Sequence, residues 1–480
     1  MLKKIIILFL VALMCLGTLT SCFIVINETG STGQKPESTE TEAKIEKIPA
    51  QTDVLDVGKA SAEQSLGEYT PSKDFGNQIF TIVIVDDTKI GMFLNEESTY
   101  SRAVEMQRQL IMSKLNCKLY IRRVSYDDFL ADVGVAHNSG TKYADLILVP
   151  QKCLGYLHGQ GMIYKLNELY GDSFVEECYD NESKVQFSAG DGVYGIVGDS
   201  AITPGAYFGV YFNKDVANEC GITELIYNSL ENGTWTFDYM LSLKDACKEK
   251  YGDIITLGAY SREVLIESMF GASGMKYVNT GLTVVPTVAD NGERFDGFVK
   301  KMKEVIADPS RFTYSVNAYE DFGDGKVLFY IDNLANASKI RGNYGIVPMP
   351  KYDEQQEKYY TYANENAQVF AVLKTNTNTE YVPDLLRAFN ETSALVYDAW
   401  SRDLLDYALR DSKSYHMVRK IFDSISYDFA YVYGDAYNSV AESTYRALNQ
   451  AVLTDKTFKV YVERQDKLFK PDMEKLFPLG

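Results

Sequence analysis

"QIFTIVIVDD", Gln78–Asp87, is a β-branched run that ends on two acidic residues. Such a run, apolar at nearly every position, reads as a strand buried on both faces. The segments downstream of it decide how it is used. "STYSRAVEMQRQLIMSKLN" (Ser98–Asn116) has helical spacing behind a Ser/Thr cap. "CKLYIRRV" (Cys117–Val124) reads as a strand, and "SYDDFLADVGVAH" (Ser125–His137) as a helix opened by a capping-box-like Ser125 and Asp128. "YADLILVP" (Tyr143–Pro150) closes the series as another buried strand. This β-α-β-α-β alternation predicts an α/β fold with a parallel or mixed sheet covered by helices. In such open sheets ligands sit beyond the carboxyl ends of the strands, here the loops after Val85 and Val149.

Downstream, "GVYGIVGD" and "AYFGVYFNKDVANECGI" read as extended segments, the second running into a short helix. Asn232-Gly233 is a turn before a helix from about Thr236. Strands at "IITLGAY" and "KVLFYIDN" alternate with helices at "REVLIESMFGASG" and "RFDGFVKKMKEVIAD". "YGIVPMPKYDEQ" and "AQVFAVLKT" look extended, and from Tyr381 the pattern is helical nearly to the end.

Upstream, Lys3 and Lys4 precede "IIILFLVALMCLG", Ile5–Gly17. A basic start, a short apolar run and then small polar residues is the layout of an export signal. The run is shorter than the roughly 20 residues that span a bilayer. "LTSC" (Leu19–Cys22) resembles the bacterial lipobox, which implies a signal peptide over residues 1–21 and diacylglyceryl transfer to Cys22. Two acyl chains anchor stably where one binds only marginally. With "FIVI" behind Cys22, the same segment also reads as an uncleaved anchor; both readings hold the chain at the outer face of the cell membrane. Residues 22–73, rich in Thr, Ser, Glu, Lys and Gly, read as a disordered tether with a reach of about 40 Å.

The roughly 400 residues that remain exceed one hydrophobic core, so two lobes are expected. The formal charge of −18 argues against a nucleic-acid partner. Seven cysteines, of which Cys117, Cys153, Cys178, Cys220 and Cys247 lie beyond the leader, form no CxxC pair. They read as small buried apolar residues rather than a disulfide framework or zinc site. His137, His158 and His416 lack ligand spacing, and no cofactor or metal motif is present: neither HExxH, nor a G-x-S-x-G elbow, nor a phosphate loop.

"YFGVYFNKDVANECGI" (Tyr207–Ile222) followed by "TWTFD" (Thr234–Asp238) resembles the extracellular solute-binding proteins of ABC importers, of the large maltose-binding-protein-like class. "DFGDGKVLFYID" (Asp321–Asp332), "YGIVPMPK" (Tyr344–Lys351) and "AQVFAVLKTNTNTEYVPDLLRAFNE" are similar to that class in order and spacing. The resemblance spans Gln78 to about Asn390. It implies a two-lobed type II periplasmic-binding fold, each lobe a mixed sheet flanked by helices, with hinge strands between and a helical C-terminal part. Residues 74–199 with 365–398 would form one lobe, and 200–364 with 399–480 the other. The crossings would lie near "GVYGIVGD" and "NENAQVF". A ligand touching both lobes favours the closed state. The implied function is capture of a small polar solute, foremost a sugar or oligosaccharide, by a monomer that presents it to a membrane permease.

The ligand-facing candidates are Asp87, Asn95 and Glu96 in the loop after the first strand, and Gln151 after "LILVP". Asp199 and Tyr207 flank the first crossover, Asp332 and Asn333 end "LFYID", and Asn364 and Glu365 begin the second crossover. Asn95 and Glu96 also read as helix entry, and the others as loop caps. Sugar rings stack on aromatic platforms. Of two tryptophans, Trp235 reads as packed and Trp400 as a platform. Paired carboxylates leave a lipid-anchored glycoside hydrolase as the alternative; a ligand sensor coupled to a membrane receptor is another.

Overall fold

The computed structural model describes residues 51–85, 98–172, 181–198, 201, 203–281, 284–409 and 411–477. The first element, α1 (Gln51–Glu68), precedes β1 (Ile79–Val85), α2 (Thr99–Leu115), β2 (Lys118–Val124), α3 (Tyr126–Ser139), β3 (Leu146–Pro150) and α4 (Lys152–Gly159). The β-α-β-α-β reading is realised: β1 pairs in parallel with β2, from Ile79 opposite Lys118 to Val85 opposite Val124, and with β3 on its other side. The predicted caps are made. Ser98 Oγ accepts from Ser101 N at 3.0 Å, and Ser125 Oγ from Asp128 N at 3.2 Å. All five residues of β3 are buried, as its unbroken apolar run requires.

The chain continues through β4 (Phe208–Asn213), α5 (Lys214–Glu219), α6 (Thr223–Glu231), α7 (Lys244–Tyr251), β5 (Ile255–Ala259) and α8 (Arg262–Ala272). Then come β6 (Phe312–Tyr314), β7 (Val327–Asn333), β8 (Tyr344–Val347), β9 (Thr361–Tyr362) and β10 (Gln368–Ala371). The first lobe is the sheet β10-β3-β1-β2, in which only β10 is antiparallel. The second is the sheet β6-β5-β7-β4-β8, with β5, β6 and β7 parallel and β4 antiparallel to both its neighbours. All six residues of β4 are buried, which suits a strand inside a covered sheet. Trp235 is fully buried beside this sheet, its Nε1 donating to Pro348 O at 3.0 Å and its ring edge-on to Phe329.

The C-terminal part is helical: α9 (Val382–Glu391), α10 (Ser393–Leu404), a single π-helical turn (Leu405–Leu409), α11 (Ser412–Phe422), the short β11 (Ile425–Ser426) beside β9, and α12 (Phe429–Tyr433). It ends with α13 (Asn438–Ser443), α14 (Tyr445–Leu453) and α15 (Phe458–Leu476). Helix α10 packs on α1 and α2 of the first lobe, and α11 on β8 of the second, so the π turn is a third passage between lobes. Helix α12 packs back on α4. A Cβ on Gly155 would stand 2.7 Å from Val432 O, so this contact needs glycine.

One expectation is corrected. The tether expected to reach residue 73 ends earlier, because α1 folds onto the first lobe. Leu55 and Ala62 pack with Ala103, Leu395 and Ala399. Tyr69 Oη donates to the Asp384 carboxylate, and Ser72 N and Oγ donate to its Oδ2 at 2.9 and 2.7 Å. Leu55, Ala62 and Leu66 are spaced by seven and four, a helical stripe. The polar average composition of the stretch conceals it. Cys22 lies outside the described residues. Among the described residues no helix is long and apolar enough to cross a membrane.

Candidate functional site

Two chain segments pass side by side between the sheets. Ile196 bridges Phe370 and Tyr207 bridges Ala363, both antiparallel. Between these points Gln368 N donates to Thr203 Oγ1 at 3.0 Å and Asn364 N to Ala206 O at 3.0 Å. A narrow two-stranded connection of this kind lets two rigid sheets rotate by small backbone changes at its ends. The carboxyl end of β7 lies at the same place, since Asn333 pairs with Phe208, the residue after Tyr207. Strands β5 and β6 run parallel to β7, so their carboxyl ends share that edge.

The structure sorts the predicted residues. Gln151 is fully buried and is a clamp on the second crossing: its Nε2 donates to Ala363 O (3.3 Å) and Asn364 O (2.6 Å), and its backbone N to Ala367 O. Its Oε1 has no partner among the described residues. Asn364 and Glu365 are half-buried on the crossing itself; Asn364 Nδ2 donates to Gly205 O of the first crossing at 3.3 Å. Asp332, Asn333 and Tyr207 also meet at the junction. Three corrections apply there. Tyr207 is 1% exposed, its ring edge-on to Phe422, so it is core. Asp332 is held by Tyr330 Oη, Asn333 N and Nδ2, and Asn336 Nδ2 at 2.7–3.1 Å, which makes it a buried organiser of the β7 end. Burial pushes its carboxyl above the usual range despite those donors. Trp400 is 2% exposed and packs on Phe422 with centroids 5.2 Å apart, so it is no platform in this conformation. Asp87, Asn95, Glu96 and Asp199 lie outside the described residues.

Residues without a sequence signal complete the junction. Glu267, on α8, is half-buried. Its Oε2 accepts from Tyr362 Oη (3.1 Å) and Tyr431 Oη (3.0 Å), and its Oε1 from Asn449 Nδ2 (2.7 Å). Desolvation, and to a lesser degree the charge of Glu365, pushes its carboxyl up, while the three donors pull it down. Around it Tyr431 stacks on Tyr445 at 5.1 Å, and Tyr277 stacks on Phe270 at 4.1 Å. Lys276 Nζ donates to Ser426 Oγ and Tyr427 O, both at 2.6 Å, and Asp428 accepts from Tyr277 N at 2.9 Å. A cavity of about 10 Å³ remains among Gly271, Met275, Tyr362 and Tyr431, room for one water. The arrangement is an aromatic wall in which Glu267, Lys276 and Asp428 already have partners, set against the half-buried Asn364 and Glu365.

Exposed rings lie farther along the same edge. Tyr260, immediately after β5, and Tyr314, the last residue of β6, keep 52% and 49% of their surface in water. The Arg262 guanidinium sits 5.1 Å from the Tyr314 ring centre. Rings held this way offer apolar faces to a sugar ring, and the guanidinium offers fixed donors to hydroxyls or an anionic group. The strand-end rule applied to "IITLGAY" would have found Tyr260; Glu267 had no such signal.

No protein-family model matches the chain, and no curated protein is similar to it in sequence. Solved structures do match. The galacto-N-biose/lacto-N-biose I-binding protein of the ABC transporter from Bifidobacterium longum aligns with 85% of this chain and 100% of its own, at a TM-score of 0.56 and 12% identity. The sugar-binding protein MalE from Xanthomonas citri covers 83% and 98% at 0.55 and 11%. A cyclo/maltodextrin-binding protein solved with maltotetraose covers 84% and 99% at 0.55 and 13%. The chain has the two-lobed fold of the maltose-binding-protein-like class.

Proposed function

We propose that this protein is a solute-binding protein that captures a small polar solute, foremost a carbohydrate, between its two lobes, and that it is not an enzyme. The observation that carries this reading is the pair of crossings stitched at Ile196–Phe370 and Tyr207–Ala363. They set a hinge beside an edge that bears Asn333, Asn364, Glu365, Tyr260 and Tyr314. A solute bridging that edge to the first lobe gains contacts only on closure, which is the condition for ligand-driven closing. Of three proteins of the same fold, one binds galacto-N-biose and lacto-N-biose I, one is a sugar-binding protein and one binds cyclo/maltodextrin.

The proposal extends to location and partner. "LTSC" marks Cys22 for lipidation, the anchor holds the protein at the outer face of the cell membrane, and an ABC permease takes the solute. The test is a thermal-shift and calorimetric screen of mono- and oligosaccharides, neutral and anionic. A ligand present at a hundred times its Kd stabilises the folded state by about 2.7 kcal/mol, and the sugar must be recovered intact. Turnover of the sugar, or no shift across the panel, overturns the carbohydrate reading. Metabolic labelling with a fatty acid, lost in Cys22→Ala, tests the anchor.

A further inference from the structure

Two cysteines that solute binding leaves unused meet on the outer helices of the second lobe. Cys220 caps α5, its amide donating to Val216 O at 3.0 Å, and Cys247 lies on α7. Helices α5 and α7 pack together, and Cys220 stands close enough to the Cys247 thiol to help raise its pKa. Cys247 is fully buried and Cys220 partly exposed. Lys250 Nζ donates to Glu219 O, so the α5 end is already held to α7 one residue from Cys220. The other described cysteines, Cys117 and Cys153, are both buried and belong to the first lobe. Among the described residues Cys220 is therefore the thiol that solvent reaches, and it stands against a second sulfur.

We propose that Cys220 and Cys247 form a redox site: a small-molecule disulfide oxidises them to an intramolecular disulfide that staples the end of α5 to α7. The order of steps follows from exposure. The Cys220 thiolate attacks one sulfur of the oxidant, forming a mixed disulfide and expelling one thiolate. Cys247 then gives up its proton to that thiolate or to water and attacks the Cys220 sulfur, releasing the second thiol. Two protein thiols lose two electrons, and one disulfide is reduced to two thiols. Burial pushes the Cys247 thiol up to about 12, so it serves as the second, resolving thiol and not the first attacker. The staple closes the segment 220–247, which carries α6 and Trp235, and restricts the unfolded chain. None of this depends on which solute the cleft binds, or on whether it binds one.

The experiment uses the full chain. The protein is incubated with glutathione disulfide, remaining thiols are alkylated, and a non-reducing digest is mapped by mass spectrometry. The expected product is a crosslinked peptide pair joining Cys220 to Cys247, reversed by dithiothreitol, with a higher melting temperature than the reduced protein. Cys247→Ser stops at a glutathione adduct on Cys220, and Cys220→Ser leaves Cys247 unmodified. A stable glutathione adduct on Cys220 in the unmutated chain, with Cys247 alkylated only after unfolding, overturns the proposal. So does absence of any reaction at Cys220. The map of the unmutated chain decides the matter even where a serine variant fails to fold.

Discussion

Replacing His158 by Gln tests the packing between α4 and the C-terminal helices through a titration. The imidazole lies 4.0 Å, centre to centre, from Tyr194 and stacks on Phe477 at 5.6 Å, with Tyr433 Oη 3.0 Å from its Nδ1. Burial, helped by the charges of Lys165 and Lys374, lowers its pKa from the ordinary 6.5 to about 4. The folded protein then holds this ring neutral while the unfolded chain protonates it. Between about pH 6.5 and about pH 4 the unfolded state binds more protons, so stability falls on acidification. The difference amounts to about 3 kcal/mol at most, at 1.36 kcal/mol per pH unit; the part of the residue that faces water makes this an upper bound. Glu267, Asp332 and Asp428, whose carboxyls burial raises, act in the opposite sense and are common to both proteins. The quantity to measure is therefore the difference between His158→Gln and the unmutated chain in urea unfolding at about pH 7, 6, 5 and 4. The unmutated chain should lose about 2–3 kcal/mol relative to the variant by about pH 4. Parallel curves would refute the reasoning, because a freely titrating His158 contributes no slope.

Glu267→Ala strands the hydroxyls of Tyr362 and Tyr431 and the amide of Asn449, and should cost about 2–4 kcal/mol in chemical denaturation, with Glu267→Gln costing less. Gly155→Val should lower stability by about 1–3 kcal/mol, because its nearest obstacles are backbone atoms of the Val432–Tyr433 segment. Gly134→Ala, on the open side of α3, should instead raise it by about 0.5–1 kcal/mol. A chain beginning at Gln51 should melt like the full chain, whereas one beginning at Asp74 should melt lower, having lost α1 and the Asp384 contacts; equal melting of both would show that α1 does not stabilise the first lobe. Tyr260→Ala and Tyr314→Ala should each weaken binding of the sugar found in the screen by a few-fold to about tenfold. They should leave the unliganded melting temperature nearly unchanged.

Much of the fold is legible in the sequence because its signals are local. The unbroken apolar run of β3 and the caps Ser98 and Ser125 act within a few residues, and each cap is met by its expected partner. The burial of Trp235 follows from its place at a helix entrance. The strand-end rule points to the edge beside the two crossings at Asp332 and Asn333, but it cannot say which side chains there are exposed. Asp332 is consumed by four neighbouring donors, while Tyr260, at the end of the adjacent strand, stands in water.

Sequence by itself thus determined the alternating strands and helices, their caps and the need for two cores, since periodicity, capping and chain length are properties of short windows or of the whole count. Tertiary structure alone decided which distant groups meet. Glu267 finds Tyr362, Tyr431 and Asn449 across 95, 164 and 182 residues of chain, α1 leaves the supposed tether to dock on α10, Trp400 turns inward, and Cys220 meets Cys247. Each of these outcomes depends on how faces of separate elements pack, and burial and hydrogen-bond competition at such contacts are not encoded within any one segment.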